Sequence, residues 1–270
     1  MLTNRVDGLT YYQFRRLAER GEIVHAVSGR SGGRSVGPFA SLDVSYAVGD
    51  EPTVVEGNRA MLCAALRIDP RTVVCAEQVH GNLVARVGRS DVGHGYANPT
   101  PAIAVADALI TDEPDVHLWL TFADCVPILL HDVARRAVGL VHAGWRGTVG
   151  HIVSRTVEAM GREFGTRPTD LLAGIGPAIG PCCYQVGAEV AAAVRTAFPG
   201  DADLLQPTAG GGGRFDLPGA NARLLARLGV LPENVERSEY CTACRTDLFF
   251  SHRAEGGLTG RMAAVIGIRP

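Results

Sequence analysis

Lysine is absent from this 270-residue chain, so all 26 of its basic side chains are arginine. The absence excludes Schiff-base chemistry on lysine, the phosphate-binding lysine of P-loop proteins and the lysine of protein kinases. Any anion that the protein binds must therefore be held by arginine side chains or by backbone N–H groups.

The chain also has little excess charge and no long apolar run. Its formal net charge of −2 offers no basic surface for nucleic acid or for an anionic membrane. The N-terminal segment contains charges and has no signal-peptide core, and the apolar stretch 118–130 is interrupted by Thr121, Asp124 and Pro127. We therefore expect a cytoplasmic protein with no nucleic-acid or membrane partner. A monomer and a homodimer are both open as its oligomeric state.

The number of cysteines is odd, and no secretory signal accompanies them. The seven are Cys63, Cys75, Cys125, Cys182, Cys183, Cys241 and Cys244. Reduced thiols are expected, one of which could act as a metal ligand or a nucleophile. Cys241 and Cys244 form a CxxC motif that could build a second metal site with Cys182 and Cys183. Because there is no second CxxC and no thioredoxin-like context, we interpret these four as ordinary reduced thiols.

Hydrophobic periodicity predicts a mixed fold. Short apolar runs predict strands over 22–27, 72–76, 83–87, 117–122, 126–130, 137–141, 170–175 and 262–268. Helical spacing covers 54–66, 148–164, 188–198 and 216–228, and a polar loop is expected over 90–101. The strands flanking His80 and Gly81 are expected to form a hairpin. Without repeats or regular βαβ alternation, the pattern predicts one α+β domain over residues 1–270, with two helical layers around a strand core.

The most informative segment is the heptapeptide VHAGWRG, from Val141 to Gly147. A predicted strand leads into it, and a predicted helix starting near Thr148 follows it. His142 therefore lies at a glycine-containing turn before a helix N-terminus, where free backbone N–H groups and the helix dipole attract anions. The segment could be part of a site for chemistry, or Gly144 and Gly147 could simply form a turn beside a buried histidine.

Two other residues could join His142 in a catalytic constellation. Cys125 begins the predicted strand that precedes the one ending at His142, and a hairpin of these strands would bring both residues to one edge of the sheet. With His80 they would form a His₂Cys set, a recognised catalytic zinc arrangement with one open coordination position. The residues alone leave two alternatives, a Cys125 nucleophile with His142 as its base and three unrelated side chains.

Six short motifs occur in an order that resembles a known family. They are Glu77-Gln-Val-His-Gly81, Ala106-Asp-Ala108, Ala123-Asp-Cys125, His142-Ala-Gly-Trp-Arg-Gly147, Gly176-Pro-Ala-Ile-Gly-Pro181 and Thr259-Gly-Arg261. Together they are similar to the YfiH-type family, also called the laccase-domain, polyphenol oxidase or peptidoglycan editing factor family. The resemblance runs from about Val24 to the C-terminus, and several of the motifs are rare peptides.

The resemblance implies a fold, a cofactor and an activity. The fold would be a single-domain α/β/β/α layered sandwich of the CNF/YfiH-like cysteine hydrolase type. Zinc would be held by His80, Cys125 and His142, with copper as the alternative metal. The activity would be purine nucleoside phosphorylase, which cleaves adenosine, inosine and methylthioadenosine with phosphate to base and ribose 1-phosphate, together with deamination of adenosine.

Phosphorolysis requires bound phosphate, for which the resemblance and the absence of lysine leave four arginines as candidates. They are Arg30, Arg59, Arg146 and Arg261. Arg146 is the first candidate and a candidate catalytic residue because it lies on the turn before the helix, although a salt bridge that clamps this turn is the alternative role. Gln78 and Asp124 flank two of the expected ligands. They could contact substrate, orient the imidazoles or cap turns.

One departure from the family pattern and three alternative functions remain. Asp43 stands in Ser41-Leu42-Asp43, where the family has a neutral amide, and a carboxylate there would weaken binding if it contacts phosphate. The alternative functions are a copper-dependent polyphenol oxidase, a cysteine hydrolase that edits peptidoglycan precursors with Cys125 and His142, and a non-catalytic metal-binding module in cell-envelope or division assemblies. Only eight histidines are present, few with suitable spacing, which argues against a multi-copper site.

Overall fold

The computed structural model describes residues 1–97, 102–103 and 105–270, so the end of the predicted polar loop, 98–101, lies outside the described residues. The strands are Leu2–Val6 (β1), Leu9–Gln13 (β2), Ile23–Ser28 (β3), Val73–Cys75 (β4), Val84–Arg86 (β5), Ala108–Thr111 (β6), His117–Phe122 (β7), Val126–Asp132 (β8), Ala137–Ala143 (β9), Leu171–Ile175 (β10), Gln185–Val186 (β11), Leu205–Pro207 (β12), Gly213–Phe215 (β13), Val235–Arg237 (β14) and Met262–Ile268 (β15). The α-helices are Arg15–Ala18 (α1), Pro52–Leu66 (α2), Trp145–Val149 (α3), Ile152–Phe164 (α4), Ala188–Ala197 (α5) and Leu217–Arg227 (α6).

Two six-stranded sheets dominate the fold. The first has the order β1-β2-β3-β15-β7-β4, and the second has the order β14-β10-β8-β9-β6-β5. Strands β3, β8, β9 and β15 are buried along their whole length, which explains why they are continuous apolar runs rather than alternating ones. A small third sheet, β11-β13-β12, accompanies them. The prediction of a mixed α/β single domain is confirmed.

The core is divided by the alternation of side chains along the central strands. Leu120 of β7 and Leu129 of β8 belong to one apolar cluster, to which both large sheets contribute. The neighbouring residue, Ile128, belongs instead to a cluster with the apolar side of α4 and α6. On the first sheet, Val265 of β15 packs in a third cluster with Leu62 of α2. Each large sheet is therefore covered by apolar side chains on both faces.

The predicted pairing of β8 with β9 is confirmed. The two strands are antiparallel, with Val126 opposite Ala143 and Asp132 opposite Ala137. The Asp132 carboxylate accepts hydrogen bonds from the backbone N–H groups of Ala134 and Arg135, which stabilises the short connecting turn. The start of β8 and the end of β9 consequently lie at the same edge of the second sheet.

The predicted hairpin around His80 is wrong. β4 pairs in parallel with β7 in the first sheet, whereas β5 pairs in parallel with β6 in the second sheet. The segment between them crosses from one sheet to the other. Apolar spacing marks a strand but not its partner, and both partners here are distant in sequence. His80 has a left-handed backbone with φ of 60°, and it lies on this crossing.

Further elements differ from the sequence prediction, among them one helix and one hairpin. The helix expected over 148–164 is divided into α3 and α4, because His151 adopts a left-handed conformation with φ of 59° between them. The N-terminal hairpin of β1 and β2 was not predicted. Its turn residues Asp7 and Gly8 both have positive φ, 50° and 84°, and the Asp-Gly pair is a recognised signal for such a turn.

In the part of the chain that the structure describes, no helix has the length and apolar character that crossing a bilayer would require.

Gly174 provides a test of the packing between the N-terminal segment and the second sheet. A Cβ at this position of β10 would overlap the ring of Phe14, which is fully buried. We expect Gly174→Ala to lower the free energy of unfolding by about 1–3 kcal/mol, because overpacking forces the ring or the strand to move. The measurement is urea denaturation.

The matched control is Gly21→Ala, since a Cβ on Gly21 has no neighbour within 4 Å. We expect this variant to stay within about 0.5 kcal/mol of the unsubstituted protein. Equal stability of the two variants would contradict the packing described for Gly174.

Candidate functional site

The structure brings His80, Cys125 and His142 together. Cys125 immediately precedes β8, His142 lies near the end of β9, and His80 reaches them from the crossing between the sheets. The imidazole nitrogens and the thiol sulphur lie within 4.8 Å of one another. The two imidazole rings meet edge to face, with 4.9 Å between their centroids. This is the spacing that one metal ion with three protein ligands requires.

The carboxylate of Asp107 positions two of these three residues. It accepts a hydrogen bond of 2.8 Å from Nδ1 of His142, which leaves Nε2 as the ring nitrogen available to other partners. It also accepts hydrogen bonds from the backbone N–H groups of Val79, His80 and Gly81, at 3.3, 3.0 and 2.6 Å. One fully buried carboxylate thus holds the crossing segment against β9.

Asp107 was not predicted as a functional residue. Its signal in the sequence is an acidic side chain immediately before an apolar strand, between Ala106 and Ala108. Burial opposes ionisation, but the hydrogen bonds from His142 and from the backbone of Gly81 and His80 outweigh it and lower the pKa of Asp107. The carboxylate is therefore ionised in the folded protein and can accept all four hydrogen bonds.

The thiol of Cys125 and the imidazole of His142 are strongly coupled. Burial alone would raise the pKa of Cys125, but attraction to His142 and hydrogen bonds from His142 and His80 lower it. Burial would likewise lower the pKa of His142, whereas the charge of Cys125 and the hydrogen bond to Asp107 raise it. The arrangement favours the thiolate, which is the form that binds metals and attacks electrophiles.

Gln78 and Asp124 line the cavity of the site, and the hydrogen bonds that the structure describes for them go to groups other than the imidazoles. The Gln78 amide donates to the carbonyl of Thr121 at 2.9 Å and accepts from its backbone N–H at 2.8 Å, which fixes the crossing segment to β7. Asp124 accepts hydrogen bonds from the hydroxyls of Thr242 and Ser251 and from the backbone N–H of Arg253. The carboxylate that hydrogen-bonds to the imidazole of His142 is Asp107.

A cavity of about 450 Å³ opens onto the three residues. Its polar lining includes Gln78, Asp124, Arg146, His252, Arg253 and Arg261, and its apolar lining includes Trp145, Ile179, Tyr184 and Leu217. The lining therefore contains three guanidinium groups and one carboxylate, and that carboxylate already accepts three hydrogen bonds. The cavity is suited to an anion together with a flat or apolar group.

Two of the four predicted phosphate-binding arginines line this cavity. Arg146 stacks on Trp145, 4.4 Å from the ring centroid, and has no hydrogen-bond or ion-pair partner among the residues that the structure describes. Arg261 donates to the carbonyls of Thr259 and Gly260 at 2.8 and 3.0 Å. Arg146 does not clamp its turn through a carboxylate there, so its guanidinium is available for an anion.

The other two predicted arginines serve the structure elsewhere. Arg59 is buried and donates to the carbonyls of Val44, Gly95 and Tyr96. It lines a neighbouring cavity of about 500 Å³ rather than the one at the histidines. Arg30 donates to the carbonyls of two loops and forms an ion pair of 3.0 Å with Glu255. Arg253 was not predicted, yet it lines the cavity at the histidines.

Asp43 lies beneath the cavity wall rather than in the cavity. Its carboxylate accepts hydrogen bonds from the backbone N–H groups of Arg261 and Ser45, at 2.7 and 3.2 Å. The other carboxylate oxygen is buried without a hydrogen-bond partner among the described residues. Burial raises the pKa of Asp43 to about 6, with a further contribution from Asp50, while the hydrogen bonds and the Arg261 charge act in the opposite direction.

The raised pKa of Asp43 predicts how stability depends on pH. Because the folded-state pKa of about 6 exceeds the ordinary 3.8, Asp43 contributes stability at low pH that is lost between about pH 4 and pH 6. We expect Asp43→Asn to match the unsubstituted protein near pH 4 and to exceed it by about 2–3 kcal/mol above pH 7. Thermal unfolding across this range measures the difference.

The control for that comparison is Glu158→Gln, which removes one negative charge from an exposed position of α4. Its stability relative to the unsubstituted protein is expected to change little with pH. A stability gain of Asp43→Asn that is the same at pH 4 and pH 8 would show that ionisation of Asp43 is not the cause.

Known proteins resemble the chain along nearly its whole length. A protein of Geobacillus stearothermophilus named purine nucleoside phosphorylase YlmD is 43% identical over 247 residues, which cover 91% of this chain and 90% of the relative. The corresponding Bacillus subtilis protein is 37% identical over 249 residues, with 92% and 89% covered. The crystal structure of the Geobacillus stearothermophilus YlmD superposes with a TM-score of 0.93 at 40% identity and covers 99% of this chain and 98% of that one.

A second solved structure agrees with this result. The Bacillus licheniformis hypothetical protein YfiH superposes with a TM-score of 0.92 at 34% identity and covers 98% of this chain and 97% of that one. Residues 24–269 match the family described as multi-copper polyphenol oxidoreductase laccase. The chain therefore belongs to this laccase-like YfiH family, whose relatives compared above are named purine nucleoside phosphorylase YlmD.

Proposed function

We propose that the protein is a zinc-dependent purine nucleoside phosphorylase. It would cleave adenosine, inosine and methylthioadenosine with phosphate to the free base and ribose 1-phosphate, a glycosyl transfer, and would deaminate adenosine as a second activity. The best support is that one cavity is lined both by the possible metal ligands His80, Cys125 and His142 and by Arg146. The guanidinium of Arg146 has no hydrogen-bond or ion-pair partner among the described residues. The names of the relatives point to the same activity.

The residues present fit a zinc ion. Two imidazoles and one thiolate are donors that zinc prefers, and three protein ligands leave one position for substrate, as in catalytic zinc sites. The hydrogen bond that the non-coordinating nitrogen of His142 donates to Asp107 is the usual support of a histidine ligand. When bound, such an ion would supply Lewis acidity toward the reacting atoms of the substrate.

The arginines of the cavity would bind phosphate. The guanidinium of Arg146 is the first candidate because it has no competing partner in the described part of the chain, and Arg261 and Arg253 add positive charge. Charge-assisted hydrogen bonds to the phosphate oxygens would hold the nucleophile in place for attack on the anomeric carbon of the ribose. Positive charge near the incoming phosphate also favours its entry from solvent.

The apolar part of the cavity would bind the purine. Trp145 and Tyr184 offer aromatic surfaces, and Ile179 and Leu217 offer aliphatic ones. A volume of about 450 Å³ falls within the range of small-molecule pockets and accommodates a nucleoside beside a phosphate. Exclusion of water by these walls would strengthen the electrostatic interactions at the reacting atoms.

The remaining predictions belong to this proposal. We place the protein in the cytoplasm as one catalytic domain over residues 1–270, a monomer or homodimer that acts on purine nucleosides and phosphate. We also propose the α/β/β/α layered sandwich of the CNF/YfiH-like cysteine hydrolase type. Its support is the set of three clusters, one containing residues of both sheets and two containing helices.

The second candidate function is a cysteine hydrolase that edits peptidoglycan precursors, because the same geometry also favours a Cys125 thiolate beside His142. Reaction of Cys125 with a substrate-like electrophile after removal of metal would support it. Copper-dependent oxidation of phenols receives less support. Among the described residues only two groups could hold a metal, and only His80 and His142 are histidines within them. A multi-copper centre needs more histidines than that.

The test of the proposed function is the phosphate dependence of base release by the metal-loaded protein. We expect adenosine to yield ribose 1-phosphate in an amount equal to the sum of the free bases, adenine and any hypoxanthine formed through inosine, and only when phosphate is present. Arg146→Ala should raise KM for phosphate by about 10-fold or more, because a hydrogen bond to a charged group contributes about 1.5–3 kcal/mol. Chromatography of the bases gives the rates, and inosine formed without phosphate gives the deaminase rate.

Arg162→Ala is the matched control, since Arg162 is exposed on α4 and does not line the cavity. Its KM for phosphate should equal that of the unsubstituted protein. Base release that does not depend on phosphate, or no release at all, would contradict the proposed function. An unchanged KM in Arg146→Ala would contradict only the role of this arginine.

A further inference from the structure

Four cysteines outside the catalytic cavity form a compact cluster. Cys182 and Cys183 lie in the loop that follows β10, and Cys241 and Cys244 lie in the loop that follows β14. Their four sulphur atoms all lie within 4.8 Å of one another. The sulphur of Cys244 is 3.5 Å from that of Cys182 and 3.3 Å from that of Cys183.

We propose that Cys182, Cys183, Cys241 and Cys244 form a second metal site, with four thiolate ligands around one zinc ion. A regular tetrahedron with zinc–sulphur bonds of about 2.3 Å places its sulphurs about 3.8 Å apart. The distances in this cluster lie around that value, so small rotations of the side chains would suffice to bind the ion. Four soft sulphur donors in a tetrahedral arrangement are typical of structural zinc sites.

The backbone around the cluster supports it. The N–H of Gly180 donates to the sulphur of Cys241 at 3.2 Å. This hydrogen bond would stabilise the negative charge of a thiolate ligand. The N–H of Thr242 donates to the carbonyl of Ala178 at 3.1 Å, so the two cysteine loops are already joined by the main chain.

The cluster lies behind one wall of the catalytic cavity. The hydroxyl of Thr242, next to Cys241, donates to the Asp124 carboxylate at 2.6 Å. The N–H of Ile179 donates to the Asp124 carbonyl at 2.9 Å, and Ile179 and Tyr184 both line the cavity. A metal ion that joins the two loops would therefore fix this wall, and with it the residue that precedes Cys125.

The role of this second site is structural rather than catalytic. Four protein ligands fill a tetrahedral zinc ion and leave no position for substrate, unlike the three ligands in the cavity. Cys182 and Cys244 are exposed, so the ion can be exchanged with solvent without unfolding of the protein. The proposal does not depend on the function proposed for the cavity, because it rests on a separate set of ligands.

Metal content of the intact protein tests the proposal. We expect about two zinc ions per chain in the zinc-loaded protein, one of which is lost in Cys125→Ala and the other in the double variant Cys182→Ser, Cys244→Ser. The double variant should also unfold at a lower temperature, since the binding free energy of a structural metal contributes to folding. Cys63→Ser is the control, because Cys63 is buried outside both clusters and should leave both ions in place.

A spectroscopic measurement keeps the test independent of how the double variant folds. Cobalt(II) bound to Cys125→Ala should show the intense visible and thiolate charge-transfer bands of a tetrahedral four-sulphur site. Two results would overturn the proposal. One is a Cys125→Ala protein that binds no metal, and the other is recovery of the four cysteines as disulfides in protein prepared under reducing conditions. Loss of phosphorolysis with both metal sites intact would instead count against the function proposed for the cavity.

Discussion

The buried carboxylate of Asp107 is the interaction on which the site depends. An ionised group in the interior is unfavourable unless hydrogen bonds replace its hydration, and Asp107 accepts four of them. Three come from the crossing segment that carries His80, and the fourth comes from His142. The loop and the strand therefore approach each other because both satisfy the same charge.

The second requirement is the antiparallel register of β8 and β9, which brings the start of one strand beside the end of the other. This register places Cys125 next to His142 without any contribution from the rest of the chain. His80 lies on the segment that crosses from the first sheet to the second, so the site forms where the two sheets meet. The Asp124 carboxylate, which is bonded to Thr242 and Ser251, holds the loops that complete the cavity.

Local patterns in the sequence predicted those parts of the site that depend on neighbouring segments. The β8–β9 pairing could be predicted because two apolar runs are separated by a short turn, and the meeting of Cys125 and His142 follows from it. The place of His80 could not be derived in this way, because β4 and β5 pair with strands far along the chain. The residues alone left its membership of the site open, and the resemblance to a family favoured it. The role of Asp107 was not predicted for the same reason, since its hydrogen-bond partners lie about 26 to 35 residues away in the sequence.

The arginines show a different limit of sequence reasoning. Arg30, Arg59, Arg146 and Arg261 are chemically equivalent as phosphate ligands, but backbone carbonyls and carboxylates of the folded chain occupy some of them. Arg59 donates to three carbonyls and Arg30 is paired with Glu255, whereas Arg146 keeps its guanidinium free of such partners within the described residues. Which cation remains available is decided by tertiary contacts that composition and spacing do not contain.

The most direct test of the account is the zinc affinity of Asp107→Asn, measured by competition with a chelator on the intact, folded protein. Asparagine has nearly the same shape but lacks the charge that orients His142 and holds His80. We expect the ion in the cavity to bind about 10- to 100-fold more weakly, as loss of such a partner typically causes, while the four-cysteine site keeps its affinity. Unchanged affinity at the cavity site would contradict the central role of Asp107.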